Sequence, residues 1–186
     1  MSEHETPRPW TKLGSEPGPD LLVARARFDL LLNPRTGREL RRLVLDTRDW
    51  VNVVALTPEQ RLVVVRQYRF GTERVTTEIP GGVVDPDETP EAAARRELRE
   101  ETGHTAERWT SLGSVEPNPA FHNNLCHHWL AEGARATHAL ELDPGEDIAV
   151  DTLSLDEVRA GIENGSIRHS LVICALARLL DLRRGS

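Results

Sequence analysis

Apolar and polar residues alternate along the first half of the chain in the manner of β-strands. Leu21–Leu32 and Arg38–Asp46 flank the turn sequence Asn33–Gly37, which predicts a hairpin. The β-branched runs Val51–Leu56 and Leu62–Tyr68 are separated by a short polar break and predict a second hairpin. This half of the chain is therefore expected to be rich in strands.

The pattern changes near the middle of the chain, where a helix is expected. Thr89 is a suitable N-cap, Pro90 suits the first helical position, and strong helix formers follow. Gly103 stands where a helix stop is expected. The sequence therefore predicts a helix over residues 90–102.

Further strands and two further helices are predicted after this helix. The strand-like segments are 111–116, 124–131 and 147–154. Ser154 and Glu157 form a capping box for a short helix, and Ser170 opens a last helix, 170–182, with an apolar face. Strands, a helix, more strands and two helices predict a mixed α/β sandwich.

The N-terminal region differs from the rest. Residues 1–19 are rich in Pro, Gly and Glu and are expected to form a loose arm, with Trp10 as a ring able to dock on a partner. The arm and the strands up to residue 48 are expected to pack separately from a main domain over 49–186. The long strand region and its apolar faces favour a homodimer.

Composition excludes several classes of protein. The chain has 186 residues and a net charge of 23 − 30 = −7, which argues against nucleic-acid binding. Its two cysteines lie far apart, as expected in a reducing compartment rather than in a disulfide framework. With neither a signal peptide nor an apolar run long enough for a membrane span, a cytoplasmic protein is expected.

Three glutamates lie on one side of the predicted helix, although like charges at this spacing repel. They are Glu97, Glu100 and Glu101. One interpretation is a solvated face, because arginines are interleaved with them. The other is a site for a hard divalent cation such as Mg²⁺, which prefers several carboxylate oxygens. The turn Gly81–Gly82 beside the helix adds backbone carbonyls, which favours the metal site.

The segment Gly82–His104 resembles the signature box of the Nudix hydrolases. The matching residues, at the spacing of the box, are Gly82, Glu88, Arg96, Glu97, Leu98, Glu100, Glu101 and Gly103. His104 departs from the pattern, which usually has an apolar residue there, and little catalytic consequence is expected. The resemblance covers residues 45–180 and implies a Nudix-type α/β/α sandwich of mixed sheets.

The resemblance also implies roles for the residues of the box. The metal ligands would be Glu97, Glu100, Glu101 and the carbonyl of Gly81. Arg96 would orient a glutamate of the helix, Glu88 would hold the loop and helix in shape, and Gly82 would allow the tight turn. The cofactor would be Mg²⁺ or Mn²⁺, and the reaction would be hydrolysis of a nucleoside diphosphate linked to another group.

Segments outside the box narrow the substrate. Val65–Arg69 and Glu78–Gly82 resemble the branch of ADP-ribose pyrophosphatases and nucleoside-diphosphate-sugar hydrolases, in which an N-terminal strand region is exchanged across a homodimer. Pro119 lies fifteen residues beyond His104, a spacing linked with ADP-ribose hydrolases. The residues around Pro119 are less like that branch, which leaves other sugar nucleotides open.

Five further residues are candidates for the site, each with an alternative. Arg69 would bind a phosphate or form a surface ion pair. Glu78 would bind a substrate hydroxyl or amine, or serve as a structural acceptor. Trp50 would stack on a base or pack in a core or dimer interface, and Arg66 faces either way. Glu146 would be the general base or part of an exposed acidic turn.

Other hypotheses stay open at this point. His122, Cys126, His127 and His128 have no recognised zinc spacing, and strand alternation places His127 and His128 on opposite faces. A Nudix hydrolase of another nucleotide, such as a dinucleoside polyphosphate or NADH, is one alternative function. A nucleotide-binding regulator without catalysis is the other.

Overall fold

The computed structural model describes residues 6–180, which form two compact units. One comprises residues 6–48 and 116–124, and the other comprises 49–115 and 125–180. The strands are β1 (Thr11–Asp20), β2 (Arg25–Leu32), β3 (Glu39–Asp46), β4 (Trp50–Leu56), β5 (Arg61–Arg69), β6 (Arg74–Glu78), β7 (His104–Thr105), β8 (Arg108–Val115), β9 (Cys126–Glu132), β10 (Arg135–Ala136) and β11 (Ile148–Ser154). The helices are α1 (Pro90–Thr102), α2 (Leu155–Glu163) and α3 (Ser170–Leu176).

The smaller unit is a three-stranded antiparallel sheet in the order β1-β2-β3. The prediction of a loose arm over residues 1–19 was wrong for β1, and residues 1–5 lie outside the described part. The prediction failed because β1 has a low strand propensity of its own and is held in the sheet by hydrogen bonds to β2. Register shifts between Lys12 and Gly14 and between Pro17 and Asp20 accommodate the irregular residues.

The segment 116–124 lies along β3 in the same unit. Leu45 and His122 form a parallel bridge, and the Asn123 amide donates to Asp46 over 2.6 Å. This segment contains Pro119, so the loop that suggested an ADP-ribose hydrolase belongs to the smaller unit.

The larger unit is built on a six-stranded mixed sheet. The strand order is β11-β5-β4-β9-β8, with β6 paired to β5, and β4 runs parallel to β9. Valines of β4 alternate between two apolar clusters, one containing residues of α1 and the other residues of α2 and α3. The sheet therefore lies between helical layers, and the predicted mixed α/β sandwich is confirmed.

The predicted helices are confirmed in position, with one difference in length. The Thr89 hydroxyl accepts from Ala92 N–H at the start of α1, and Gly103 ends the helix at a φ of 69°. The capping box of Ser154 is present at α2. Helix α3 ends at Leu176, earlier than predicted, because the chain tightens into turns there, and residues 181–182 of the predicted helix lie outside the described part. Within residues 6–180, no helix has the length and apolar character to cross a membrane.

Two neighbouring histidines of β9 have opposite environments, as strand alternation predicts. The His127 ring lies 2.9 Å from the Asp49 carboxylate. The His128 ring is fully buried, and neither ring nitrogen has a hydrogen-bond partner within residues 6–180. Burial lowers the pKa of His128 to about 4, and Arg178 and His127 add to the effect.

His128 should make the stability of the protein depend on pH. The folded-state pKa is depressed below its ordinary 6.5, so the unfolded chain binds more protons between these values. The contribution of neutral His128 to stability is fully present above about pH 6.5. The free energy of unfolding then falls by up to about 3 kcal/mol as the pH drops through this window. Urea unfolding at several pH values should show a smaller loss for His128→Leu, with His138→Leu as the exposed control. An unchanged slope in His128→Leu would contradict this origin.

Candidate functional site

The three glutamates of helix α1 are buried to different extents. Ala94 and Leu98 lie on its buried face, and Glu101 shares that face with only 3% of its surface exposed. The side chains of Glu97 and Glu100 lie at the edge of the face and are 12% and 27% exposed. The glutamates are therefore not a solvated surface, which was the alternative interpretation of the sequence.

Arg96 joins these glutamates to the loop before the helix. Its guanidinium donates to both oxygens of Glu88 over 3.1 and 3.0 Å, and to the carbonyl of Val83 over 3.0 Å. It also donates to Glu97 Oε1 over 2.8 Å and to Glu100 Oε2 over 3.3 Å. The hydrogen bonds with Glu88 are the largest influence in raising the pKa of Arg96, so this residue stays charged.

The turn Gly81–Gly82 approaches the helix closely. The N–H of Gly81 donates to Glu101 Oε2 over 2.9 Å. The carbonyls of Pro80 and Gly82 accept from backbone N–H groups of β4, whereas no hydrogen bond to the carbonyl of Gly81 is found within residues 6–180. The Gly81 carbonyl is therefore available to a ligand.

Burial and mutual repulsion shift the titration of the carboxylates. Burial is the main cause that raises the pKa of Glu101 to about 8, and the charges of Glu97 and Glu146 raise it further. Burial also raises the pKa of Glu97, despite its bond with Arg96. A cation placed among these groups would relieve the repulsion and favour their ionised forms.

A cavity of about 300 Å³ brings several of these groups together. We call it the carboxylate cavity, and its lining residues are Gln67, Arg69, Gly81, Gly82, Val83, Asp85, Arg96, Glu97, Glu101, Asp143 and Glu146. Glu146, proposed from sequence as a base, lies here in a turn with Asp143. Gln67, Asp85 and Asp143 were not predicted. Of these three, only Asp143 could have been suggested by the sequence, because it lies in the same acidic turn as Glu146.

A larger cavity of about 550 Å³ shares part of this wall. The two cavities have in common Arg69, Gly81, Gly82 and Val83. The larger cavity is lined further by Trp50, Asn52, Thr72, Arg74, Arg168 and His169, among others. Trp50 was a predicted candidate, whereas Arg168 and His169 precede α3 in a segment without any recognised motif.

Arg69 and Glu78 form a bidentate ion pair between β5 and β6. Arg69 Nε lies 2.8 Å from Glu78 Oε1, and Nη2 lies 2.7 Å from Oε2. The Thr76 hydroxyl donates to the same carboxylate over 2.5 Å. Burial is the largest influence on Glu78 and raises its pKa, but these bonds outweigh it, so the pKa lies below its ordinary value. Glu78 is thus a structural acceptor for Arg69, which lines both cavities.

Two of the predicted metal- or substrate-binding residues lie outside both cavities. Arg66 is half-exposed and pairs with Asp151 over 2.8 Å, so its predicted contact with substrate has no support from the geometry. Glu100 accepts from Arg96 and from Arg99 and does not line either cavity. Its predicted role as a metal ligand would require a rotation of its side chain.

The oxygen atoms that line the carboxylate cavity are of the type that a hard divalent cation binds. Glu97, Glu101 and Glu146 offer carboxylate oxygens, and Gly81 offers a carbonyl. Within residues 6–180, no three His, Cys, Asp or Glu side chains are already positioned to hold an ion. Arg96 holds Glu97 and Glu100, so ion binding would require these carboxylates to adjust.

The two glycines of the turn are expected to respond differently to alanine. A methyl group on Gly82 would collide with the carboxylate of Glu97, a flexible end that moves aside, whereas one on Gly81 would collide with the carbonyl of Val51. Gly82→Ala should therefore fold normally and lose about 10- to 100-fold in metal affinity, as when a ligand is misplaced. Gly81→Ala should lower the melting temperature. Calorimetry and metal titration of both variants check this contrast, and normal metal affinity in Gly82→Ala would contradict it.

Comparison with known proteins places this geometry in a family. The model of the NUDIX domain matches residues 46–174. The chain is 33% identical over 144 residues to a methanol dehydrogenase activator of Bacillus methanolicus, covering 77% of this chain and 78% of that protein. It is 33% identical over 132 residues to an ADP-ribose pyrophosphatase of Bacillus subtilis, covering 70% and 71%. A crystal structure of an ADP compounds hydrolase superposes with a TM-score of 0.83 at 22% identity, covering 94% of each chain.

Proposed function

This chain belongs to the Nudix family, and we propose that it hydrolyses the diphosphate linkage of ADP-ribose or a related nucleoside-diphosphate sugar. The products would be a nucleoside monophosphate and a sugar phosphate. The observation that carries the proposal is a two-part site, in which the carboxylate cavity and the larger cavity share Arg69 and the turn Gly81–Gly82. The similarity to an ADP-ribose pyrophosphatase favours the adenine nucleotide among the alternatives.

Nudix hydrolases use divalent metal ions, and we propose Mg²⁺ or Mn²⁺ for this chain. Glu97, Glu100, Glu101 and the carbonyl of Gly81 would hold the ions. When bound, the ions supply Lewis acidity to the phosphate oxygens of the substrate. Arg96 would orient Glu97 through the 2.8 Å hydrogen bond, and Glu88 would fix Arg96 by its paired hydrogen bonds.

The chain's own residues would then complete the reaction. Glu146 would accept a proton from the water that attacks one phosphorus, and the bridging P–O bond would break with its electrons on the leaving phosphate. Arg69 would face the substrate where the two cavities meet, with its orientation fixed by Glu78. Trp50 lines the larger cavity and would contact the nucleoside.

The smaller unit supports a proposed homodimer. Leu21, Leu22 and Val23 lie at the turn after β1, and these residues are 46%, 100% and 85% exposed. An apolar turn of this kind is unusual on a monomer and favours a second copy of the chain as its cover. The cytoplasmic location stays a proposal, supported by the free thiols of Cys126 and Cys174.

A substrate panel with Mg²⁺ tests the function. ADP-ribose, GDP-mannose, ADP-glucose, UDP-glucose, NADH and diadenosine polyphosphates would be incubated with the protein, and the products identified after chromatography. Preference for ADP-ribose, with AMP and ribose 5-phosphate as products, is the expected result. Preference for NADH or a diadenosine polyphosphate would instead support a Nudix hydrolase of another nucleotide. Metal binding without turnover on any substrate would favour the non-catalytic regulator.

A further inference from the structure

Asn52 lines the larger cavity beside the turn Gly81–Gly82, and it is not part of the Nudix box. It lies on β4, is 8% exposed, and lines the larger cavity. A methyl group added to Gly81 would come within 2.6 Å of the Asn52 amide nitrogen. Gly81 lines both cavities, so the Asn52 amide nitrogen, on the wall of the larger one, lies beside the turn that the two cavities share at their junction.

The amide of Asn52 is fixed on one side and open on the other. The thiol of Cys126 donates to Asn52 Oδ1 over 3.3 Å in the buried layer beneath the cavity. That bond leaves Nδ2 as the free end, and no hydrogen bond from Nδ2 is found within residues 6–180. Nδ2 is not among the fully buried atoms that lack a partner, so it keeps contact with the cavity and can receive an acceptor there. An acceptor from a ligand in the cavity would satisfy it.

The charges around the junction indicate the chemistry of that acceptor. Glu97, Glu101 and Glu146 face the carboxylate cavity, so a diphosphate there needs hydrogen-bond donors as well as cations. Two of the nitrogens of Arg69 are occupied by Glu78, and the N–H of Gly81 is occupied by Glu101. The Asn52 amide therefore adds a donor beside Arg69 and Gly81, whose donors are partly engaged.

We propose that Asn52 is a substrate-positioning residue whose Nδ2 donates to a phosphate oxygen where the substrate passes from the carboxylate cavity into the larger cavity. This inference rests on the proposed function, since it takes a diphosphate as the ligand. The Cys126 thiol fixes the amide so that its NH₂ group, rather than its oxygen, faces the phosphate. The bond would be made both in the bound substrate and in the transition state, so its loss raises KM more than it lowers kcat.

Binding measurements with two variants of similar shape test the proposal. Asn52→Leu removes the donor, and Asn52→Asp replaces it with a carboxylate that repels phosphate. Calorimetric titration with the non-hydrolysable α,β-methylene analogue of ADP-ribose, in Mg²⁺, should show about a 10-fold or greater loss of affinity for Asn52→Leu. Asn52→Asp should lose more. Thr110→Val, in an exposed residue of β8 that lines neither cavity, is the control and should bind as the wild type does.

A second ligand assigns the contact to phosphate. Inorganic pyrophosphate has neither base nor sugar, so its affinity should fall in Asn52→Leu by a similar factor. A loss with the analogue but not with pyrophosphate would overturn the assignment to a phosphate oxygen. Affinity within twofold of the wild type for both ligands, with an unchanged melting temperature, would overturn the role of Asn52.

The same variants separate this inference from the proposed substrate. If the wild type does not hydrolyse ADP-ribose, the proposed substrate is wrong, and KM is measured with the best substrate of the panel. An unchanged KM for Asn52→Leu with that substrate overturns the inference. If no substrate is hydrolysed, pyrophosphate binding decides, and equal affinities of wild type and Asn52→Leu overturn it.

Discussion

Glu101→Gln should abolish most of the metal-dependent turnover and leave the fold intact. Glu101 is the most deeply buried of the three helix glutamates and lies in the carboxylate cavity. Removing its charge should lower kcat by on the order of 10²- to 10³-fold, the scale found when one electrostatic contact to a transition state is lost. The glutamine oxygen still accepts from the N–H of Gly81, so the local backbone should not change.

The control for this variant lies on the same helix. Glu91 is in the first turn of α1 and forms an exposed ion pair with Arg95. Glu91→Gln should keep normal turnover, because its carboxylate lines neither cavity. In thermal melts, Mg²⁺ should stabilise the wild type and Glu91→Gln but have little effect on Glu101→Gln. Normal turnover in Glu101→Gln would remove the proposed mechanism.

Arg69→Met should cause the largest loss of stability among the candidate site residues. It would leave the carboxylate of Glu78 buried without its bidentate partner. Breaking a buried ion pair by removing one partner costs about 3–5 kcal/mol. The Arg69 side chain is 44% exposed, so water can partly replace it, and we expect a loss of about 2–4 kcal/mol in the free energy of unfolding.

A double-mutant cycle isolates the pair from the rest of the site. Arg69→Met combined with Glu78→Leu removes both charges and should recover most of the loss. Arg66 lies on the same strand as Arg69 and forms an exposed ion pair with Asp151. Arg66→Met breaks that pair and should lower the free energy of unfolding by about 1 kcal/mol or less. Urea unfolding of the four proteins of the cycle and this control gives the energies. Equal losses of unfolding free energy in Arg69→Met and Arg66→Met would contradict the prediction that the burial of Glu78 makes the Arg69 variant less stable.

Local chemistry explains which parts of the fold were predictable from sequence. Helix α1 could be predicted because Thr89, Pro90 and Gly103 mark its ends by capping and backbone geometry, which act within a few residues. Strand β1 could not, because its irregular sequence is held in the sheet by β2, a tertiary partner. The length of α3 was overestimated for a related reason, since the apolar pattern continues through the turns that follow it.

The candidate site divides in the same way. The glutamates of α1 and the turn Gly81–Gly82 could be found together because they belong to one short segment. The pairing of Arg69 with Glu78 depends on the register of β5 and β6, and the exposure of Asn52 to a cavity depends on the packing of β4 against Gly81. These are contacts between segments, and a single sequence has no spacing that reports them.

The decisive measurement for the proposed cleavage of the diphosphate linkage is the rate at which the wild-type protein converts ADP-ribose to AMP and ribose 5-phosphate, with and without Mg²⁺. We expect rapid formation of both products with Mg²⁺ and almost none after chelation. In H₂¹⁸O, one ¹⁸O atom should appear on the phosphate of one product, because water attacks phosphorus and the bridging P–O bond breaks. Absence of metal-dependent hydrolysis, or release of ADP and ribose, would contradict the proposal that this site cleaves the diphosphate linkage.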